Sequence, residues 1–192
     1  MNFLEERILK DGQVRPGNVV KVDSFLNHQL DVGLLDEIGR AFYERFKDAG
    51  ITKVITVEAS GIAIAVPAAR CFGVPALFAK KAKSKNLDGD LYSAKVMSFT
   101  YGQEYTVTLS KKYLDSTDTV LLVDDFLAVG KALKGLISIC DQAGAKVGGI
   151  GIAIEKSFQE GGRVLREEGY PLYSLARIAS IDDGQITFVQ DE

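Results

Sequence analysis

Short runs that are apolar or β-branched at nearly every position, separated by helical stretches, constrain this chain most. Lys53–Val57 (KVITV), Ala76–Ala79 (ALFA) and Thr119–Val123 (TVLLV) are such runs, and Lys146–Ile154 is another, weakened by Gly148-Gly149. A strand with one wet face alternates polar and apolar residues; a strand apolar on both sides belongs to a sheet covered on both faces. The intervening segments, from Ser60 to Phe72, from Lys131 to Ala143 and from Arg163 to Glu168, have helical composition, and Tyr173–Ile178 closes the series as a strand. This alternation predicts an α/β fold with a mostly parallel sheet and helices on both faces. Pro67 argues against an unbroken helix between Ser60 and Phe72.

The flanks read differently. A short helix over Phe3–Lys10 stops at Gly12, Gly17–Val22 reads as a half-covered strand, and Ser24–Leu30 has no clear period. Leu34, Leu35, Ile38, Phe42 and Phe46 mark an amphipathic helix over Val32–Ala49, ended by Gly50. Tyr92–Leu109 is rich in Tyr, Thr, Val and Ser around Tyr101-Gly102 and predicts an antiparallel hairpin; Lys83–Gly89 before it is polar and expected to be mobile. A second small hairpin is expected around Ile181–Ile186.

A length of 192 residues, 46% hydrophobic and 26% charged, suits one domain with a core that needs neither disulfide nor metal. Net charge is −3, so no broad positive field invites nucleic acid. Cys71 and Cys140 sit in apolar helical stretches and read as buried thiols, and the lone His28 anchors no catalytic triad. The start MNFLEERILK lacks a signal-peptide apolar core and no run is long enough to span a bilayer, so a cytoplasmic setting without membrane contact is expected.

The chemistry concentrates in Val120–Ala132, VLLVDDFLAVGKA. A buried strand brings Asp124 and Asp125 to its C-terminal end, the edge where open α/β sheets bind ligands. A small-residue turn, Ala128-Val129-Gly130-Lys131-Ala132, then opens a helix whose first N–H groups have no partner. Each such N–H on a charged oxygen contributes ~1.5–3 kcal/mol, against ~0.3–1 kcal/mol for the helix dipole. Amides, not the dipole, would dominate phosphate affinity. Vicinal ribose hydroxyls between acids and cradle would reconcile two carboxylates with a phosphate. The same spacing also serves a plain strand–turn–helix with solvated acids at its mouth.

The pattern of apolar strand, Asp-Asp, apolar pair, small residue and x-Gly resembles the signature of type I phosphoribosyltransferases, and most closely their bacterial xanthine-using branch. The resemblance runs along essentially the whole chain, through Asn27, Glu58-Ala59-Ser60-Gly61-Ile62, Ala79-Lys80-Lys81 and Ile154-Glu155-Lys156. It implies the type I fold, with a flexible hairpin hood over Lys83–Leu109 and a small base-binding part contributed by residues 1–30 and 156–192 of a single domain. It departs from the family at the phosphate turn, where Thr or Asn is common; here no side-chain hydroxyl or amide is available, leaving backbone amides and Lys131.

The resemblance further implies roles. Glu58, Ala59, Ser60 and Gly61 would meet the pyrophosphate through main-chain amides; a plain turn with Ser60 as helix cap is the alternative. Asp124, Asp125 and Lys81 would be catalytic, Lys81 rather than Lys80 neutralising the leaving group, although a solvated basic patch has the same composition. Val20, Asn27 and Lys156 would bind the base. Lys156 could donate to a 6-oxo group, which adenine lacks. The Asn27 amide suits N3–H and O2 of xanthine, or flipped, N3 and the 2-amino group of guanine. Xanthine and phosphoribosyl diphosphate are thus the implied substrates, Mg²⁺ accompanying the diphosphate, in a homodimer. A guanine or hypoxanthine enzyme is the first alternative. The second is a non-catalytic sensor of phosphoribosyl diphosphate, although about a dozen residues before the first predicted strand are far fewer than the ~60 of a DNA-binding module.

Overall fold

A computed structural model describes residues 1–82, 90–97 and 104–190. The chain begins with helix α1 (Phe3–Asp11), a two-stranded hairpin of β1 (Gln13–Arg15) and β2 (Val19–Lys21), and a single π-helical turn at Asp23–Asn27. Helix α2 (Val32–Phe46) then leads into strand β3 (Lys53–Val57), helix α3 (Ser60–Phe72) and strand β4 (Ala76–Ala82). Strands β5 (Leu91–Met97) and β6 (Glu104–Ser110) form an antiparallel pair. The rest is β7 (Thr119–Leu127), α4 (Lys131–Ala143), β8 (Lys146–Lys156), α5 (Glu160–Glu167), β9 (Leu172–Asp182) and β10 (Gln185–Phe188).

The main sheet has the order β10-β9-β8-β7-β3-β4-β6-β5. Its centre, β9-β8-β7-β3-β4, is parallel, and antiparallel strands close both edges. The chain moves from β3 outward to β4 and later returns to β7 on the other side of β3. Strand order therefore reverses between β3 and β7, and the crevice beyond their C-terminal ends is where such sheets bind ligands.

Both sheet faces are covered, as the continuous apolar runs require. Leu121 and Val123 of β7 pack with α2, α3 and the N-terminal segment, while Val120 and Leu122 pack on the opposite face with α4 and Leu165 of α5. Successive strand residues point to opposite faces, so only an all-apolar run satisfies both layers.

The expected elements are found with instructive shifts. Gly17–Val22 is not one strand: Gly17 (φ 82°) and Asn18 (φ 57°) take left-handed conformations in the turn between β1 and β2. Helix α2 stops at Phe46, short of Ala49, and α5 starts at Glu160 rather than Arg163. Strand β9 runs from Leu172 to Asp182, well past the expected Tyr173–Ile178.

Helix α3 continues through Pro67, because Pro67 is buried against α2 where a Cβ on Gly39 would stand 2.7 Å from the Pro67 carbonyl carbon. Gly148 and Gly149 do not end β8. Gly148 accommodates the register shift against β7, and a Cβ on Gly149 would meet the Phe46 ring at 2.5 Å. Cys71 is half-buried and Cys140 buried; both are free thiols, and burial pushes Cys140 up to about 12. The expected mobile stretch Lys83–Gly89 and the turn at Tyr101-Gly102 lie outside the described residues. No helix among the described residues is long and apolar enough to cross a membrane.

Candidate active site

At the C-terminal end of β7 a cleft of about 520 Å³ opens between the phosphate turn, the β5–β6 pair and the β1–β2 hairpin. Asp124, the whole turn Ala128-Val129-Gly130-Lys131-Ala132 and Lys156 line it, together with Val19, Tyr105 and Gln159. Of the residues predicted for sugar, phosphate and base, Asp124, the turn Ala128–Ala132 and Lys156 thus share one space, while Asp125, Asn27 and Val20 are not among those lining it.

Gly130 has φ 82° and ψ 14°, a left-handed conformation that a side chain resists, and it forms the N-cap of α4. No side chain caps this helix, and no acidic residue occupies its first turn. The first amides of α4 are therefore free to receive an anion, without competition from the protein's own carboxylates.

Burial and the adjacent Asp125 carboxylate hold Asp124 well above the usual carboxylate range. The backbone N–H of Asp125 donates to Asp124 Oδ1 at 3.0 Å. Asp125 is buried, and the amide of Asn27, from the π-helical turn, donates to its Oδ2 at 3.1 Å. Two desolvated acids side by side favour hydroxyl donors or positive charge between them.

The turn after β3 approaches the same point. A Cβ on Gly61 would lie 3.2 Å from Asp124 Oδ1 and inside the Thr56 hydroxyl, so only glycine allows α3 to start this close to β7. The cap of α3 is Ala59, not Ser60, and no side chain bonds its free amides. The Glu58 carboxylate accepts the Lys81 backbone N–H at 2.7 Å, tying the ends of β3 and β4 together.

Neighbouring Lys80 and Lys81 point to opposite faces of β4. Lys81 Nζ lies 5.4 Å from the centre of the Tyr105 ring, and Tyr105 lines the cleft. Lys80 lies in a separate groove with Phe78, Leu91 and Tyr113. Burial, then the charge of Asp124, raises the Tyr105 hydroxyl. Of the two lysines, Lys81 is the one on the Asp124 side.

Of the residues expected to bind the base, Lys156 is half-buried at the end of β8, burial lowers its ammonium, and its Nζ donates to the Asn18 carbonyl at 3.0 Å. This contact ties the β1–β2 turn to the sheet. Val20 is buried in the core, so the cleft is met by its exposed neighbour Val19. Any Val20 contact with a ligand would come from its main chain.

Residues that sequence reasoning missed hold the site from behind. Glu155, 1% exposed, accepts two hydrogen bonds from Arg166, at 2.9 and 2.7 Å, and one from Ser174 at 2.5 Å. Burial alone would raise its carboxyl, but the Arg166 and Ser174 bonds outweigh this and hold it below its ordinary value. Gly161, two residues after the cleft-lining Gln159, donates its N–H to the Ala128 carbonyl at 3.0 Å. Among the described residues no group of three or more His, Cys, Asp or Glu side chains could hold a metal ion.

The phosphoribosyl transferase domain family matches residues 25–163, which include every strand and turn of the cleft except the N-terminal hairpin. The chain belongs to the phosphoribosyltransferase family. A xanthine phosphoribosyltransferase of Bifidobacterium adolescentis is 60% identical over 191 residues, covering 98% of this chain and 99% of that protein. A second, from Ruminiclostridium cellulolyticum, is 55% identical over 190 residues, covering 99% and 100%. Among solved structures, the adenine phosphoribosyltransferase of Rhodothermus marinus superposes with a TM-score of 0.74 at 22% identity, covering 91% of this chain and 98% of that one. At such identity the superposition establishes the phosphoribosyltransferase fold, in agreement with the sheet order and crevice described above.

Proposed function

We propose that this phosphoribosyltransferase moves the 5-phosphoribosyl group of 5-phospho-α-D-ribose 1-diphosphate to N9 of xanthine, releasing diphosphate and forming XMP in purine salvage. One observation carries the reading: Asp124, the uncapped amide turn and Lys156 line a single cleft at the strand-order reversal, with Asp125 next to Asp124 in the chain. Relatives that are 60% and 55% identical over nearly the full chain, named xanthine phosphoribosyltransferases, support the base assignment.

Bond changes are simple. The C1–O bond to diphosphate breaks and its electron pair leaves with the diphosphate. N9 forms the new C1–N9 bond, and the imidazole-ring proton of xanthine passes to solvent or to the departing diphosphate. Positive charge grows on the ribosyl ring between these events. Asp124 and Asp125 are assigned to the ribose hydroxyls and to that charge, which in a desolvated cleft is stabilised more strongly than in water. The backbone of Ala128–Ala132 and Lys131 would hold the 5-phosphate, fixing C1 in line with N9. The amides of Glu58–Gly61 and Lys81 would meet the diphosphate.

The strands of the β5–β6 pair, with Tyr105 and Met97 on the cleft, would form the inner wall of the hood. Asn27, the main chain at Val20 and Lys156 would read the base. Mg²⁺ would arrive with the diphosphate, supplying charge neutralisation there; Asp124 and Asp125 are oxygen donors of the kind such an ion or its waters accept. The assembly is proposed to be a homodimer.

Pyrophosphate release tests enzyme against sensor. With Mg²⁺, phosphoribosyl diphosphate and xanthine, equal amounts of pyrophosphate and XMP are expected. Tight binding of phosphoribosyl diphosphate without release for any purine would leave a non-catalytic sensor.

A further inference from the structure

We infer that Gly161, at the head of α5, is a positioning residue for the phosphate turn: its N–H holds the Ala128 carbonyl so that the following amides face the cleft. The inference rests on the reading of Ala128–Ala132 as the 5-phosphate site.

The turn has no hydroxyl or amide side chain, so phosphate capture there falls on backbone N–H groups, whose direction must be set by something else. Gly161 N–H donates to Ala128 C=O at 3.0 Å. In a trans peptide the carbonyl and the next N–H point in opposite directions. With the Ala128 carbonyl turned toward α5, the Val129 N–H is turned away from α5, toward the space lined by Ala128–Ala132.

The fit leaves no slack. A Cβ on Gly161 would stand 2.8 Å from the Val129 carbonyl carbon and 2.9 Å from the Gly130 nitrogen, both backbone atoms. Conversely, a Cβ on Gly130 would come within 3.5 Å of the Gly161 Cα. Close approach therefore requires glycine at Gly161, whereas at Gly130, where 3.5 Å is ordinary van der Waals contact, it is the left-handed conformation that requires it.

Helix α5 is itself anchored. Arg166 grips buried Glu155 with two hydrogen bonds, and a Cβ on the adjacent Gly162 would run into the Glu155 carboxylate. Two glycines in the first turn of a short helix weaken it unless close approach demands them. Here each faces a different partner, Gly161 the turn and Gly162 the acid. Glu155 precedes Lys156 directly, so one buried carboxylate fixes both the helix that braces the phosphate turn and the strand end that carries the base-side lysine.

The test is Gly161→Ala, with KM for phosphoribosyl diphosphate, KM for xanthine and kcat measured separately, and ribose 5-phosphate binding followed by titration calorimetry. The inference predicts at least about a ten-fold loss in ribose 5-phosphate affinity and a matching rise in KM for phosphoribosyl diphosphate, with KM for xanthine within about two-fold, because displacing a cradle by a fraction of an ångström costs contacts only to the group it holds. Unchanged ribose 5-phosphate affinity, or an equal weakening toward both substrates, would overturn it. If Gly161→Ala does not fold, replacing the Gly161 amide by an ester by semisynthesis removes the donor without adding volume, with the same outcomes. If the wild type releases no pyrophosphate with any purine, the enzymatic reading fails, while ribose 5-phosphate titration still decides the role of Gly161.

Discussion

The two halves of the cleft are built from different material. The half proposed for the phosphate is backbone: a left-handed glycine, an uncapped helix start and a carbonyl held by Gly161. The half proposed for the base is side chain: Asn27 reaching 98 residues along the chain to Asp125, and Lys156 reaching 138 residues to the carbonyl of Asn18. A backbone site is already oriented when its ligand arrives, whereas the side chains on the base half must exchange protein partners for ligand. The difference suits a reaction in which one substrate is constant across the family and the base varies.

The largest effect expected from breaking this division lies where the halves meet. Replacing Asp124 and Asp125 together with Asn keeps shape and removes the carboxyl pair, of which Asp124 holds its proton more tightly than an ordinary acid. Turnover should fall by about 10²–10³-fold, the usual loss when groups aimed at transition-state charge are neutralised. Steady-state kinetics with unchanged kcat would take both acids out of the reaction.

Glu155→Gln strikes the anchor shared by both halves. Removing one member of a fully buried ion pair costs ~3–5 kcal/mol, and about 2–3 kcal/mol is expected here because Arg166 can hydrate once released. Chemical denaturation near neutral pH reads this directly. The Glu155 carboxyl is held below its ordinary value in the folded chain. Its stabilisation is therefore present above the unfolded pKa of about 4.3 and lost as pH falls through the lower folded pKa. The gap between wild type and Glu155→Gln should narrow in acid; a constant gap would mean that the charge on Glu155 is not what stabilises the fold.

Lys156→Met separates the halves. A charge-assisted hydrogen bond is worth ~1.5–3 kcal/mol, so kcat/KM for xanthine should drop about 10–100-fold while KM for phosphoribosyl diphosphate stays within about two-fold. An equal change for both substrates would show that the lysine matters only through its tie to the β1–β2 turn.

The smallest contrast concerns adjacent lysines. Lys81→Ala should reduce kcat/KM for phosphoribosyl diphosphate by about ten-fold, as expected for one charged contact at the diphosphate. Lys80→Ala, on the other face of β4, should change it less than about two-fold. Equal losses would refute the division drawn from the position of Tyr105.

The same contrast explains what the sequence made legible. Backbone features follow from local grammar, so the acids, Gly130 and the limits of α4 were readable, although β7 runs on to Leu127, past the expected Val123, and carries both acids within it. The covered parallel sheet followed from the apolar runs. What depends on distant partners was not readable. Gly148 and Gly149 looked like a weak point in a strand because Phe46, which fills the space above Gly149, is distant in sequence. Pro67 looked like a helix stop because its burial against Gly39 is tertiary. The facing of Lys80 and Lys81 depends on which side of β4 carries the cleft. Gly161-Gly162 did carry a signal: paired glycines at a helix head ask for close neighbours, although not which ones.

Base competition decides whether this cleft is built for xanthine. With phosphoribosyl diphosphate and Mg²⁺ held constant, kcat/KM would be measured for xanthine, guanine, hypoxanthine and adenine. The highest value is expected for xanthine and the lowest for adenine, which offers no 6-oxo acceptor to Lys156. A value for guanine or hypoxanthine equal to or above that for xanthine would contradict it.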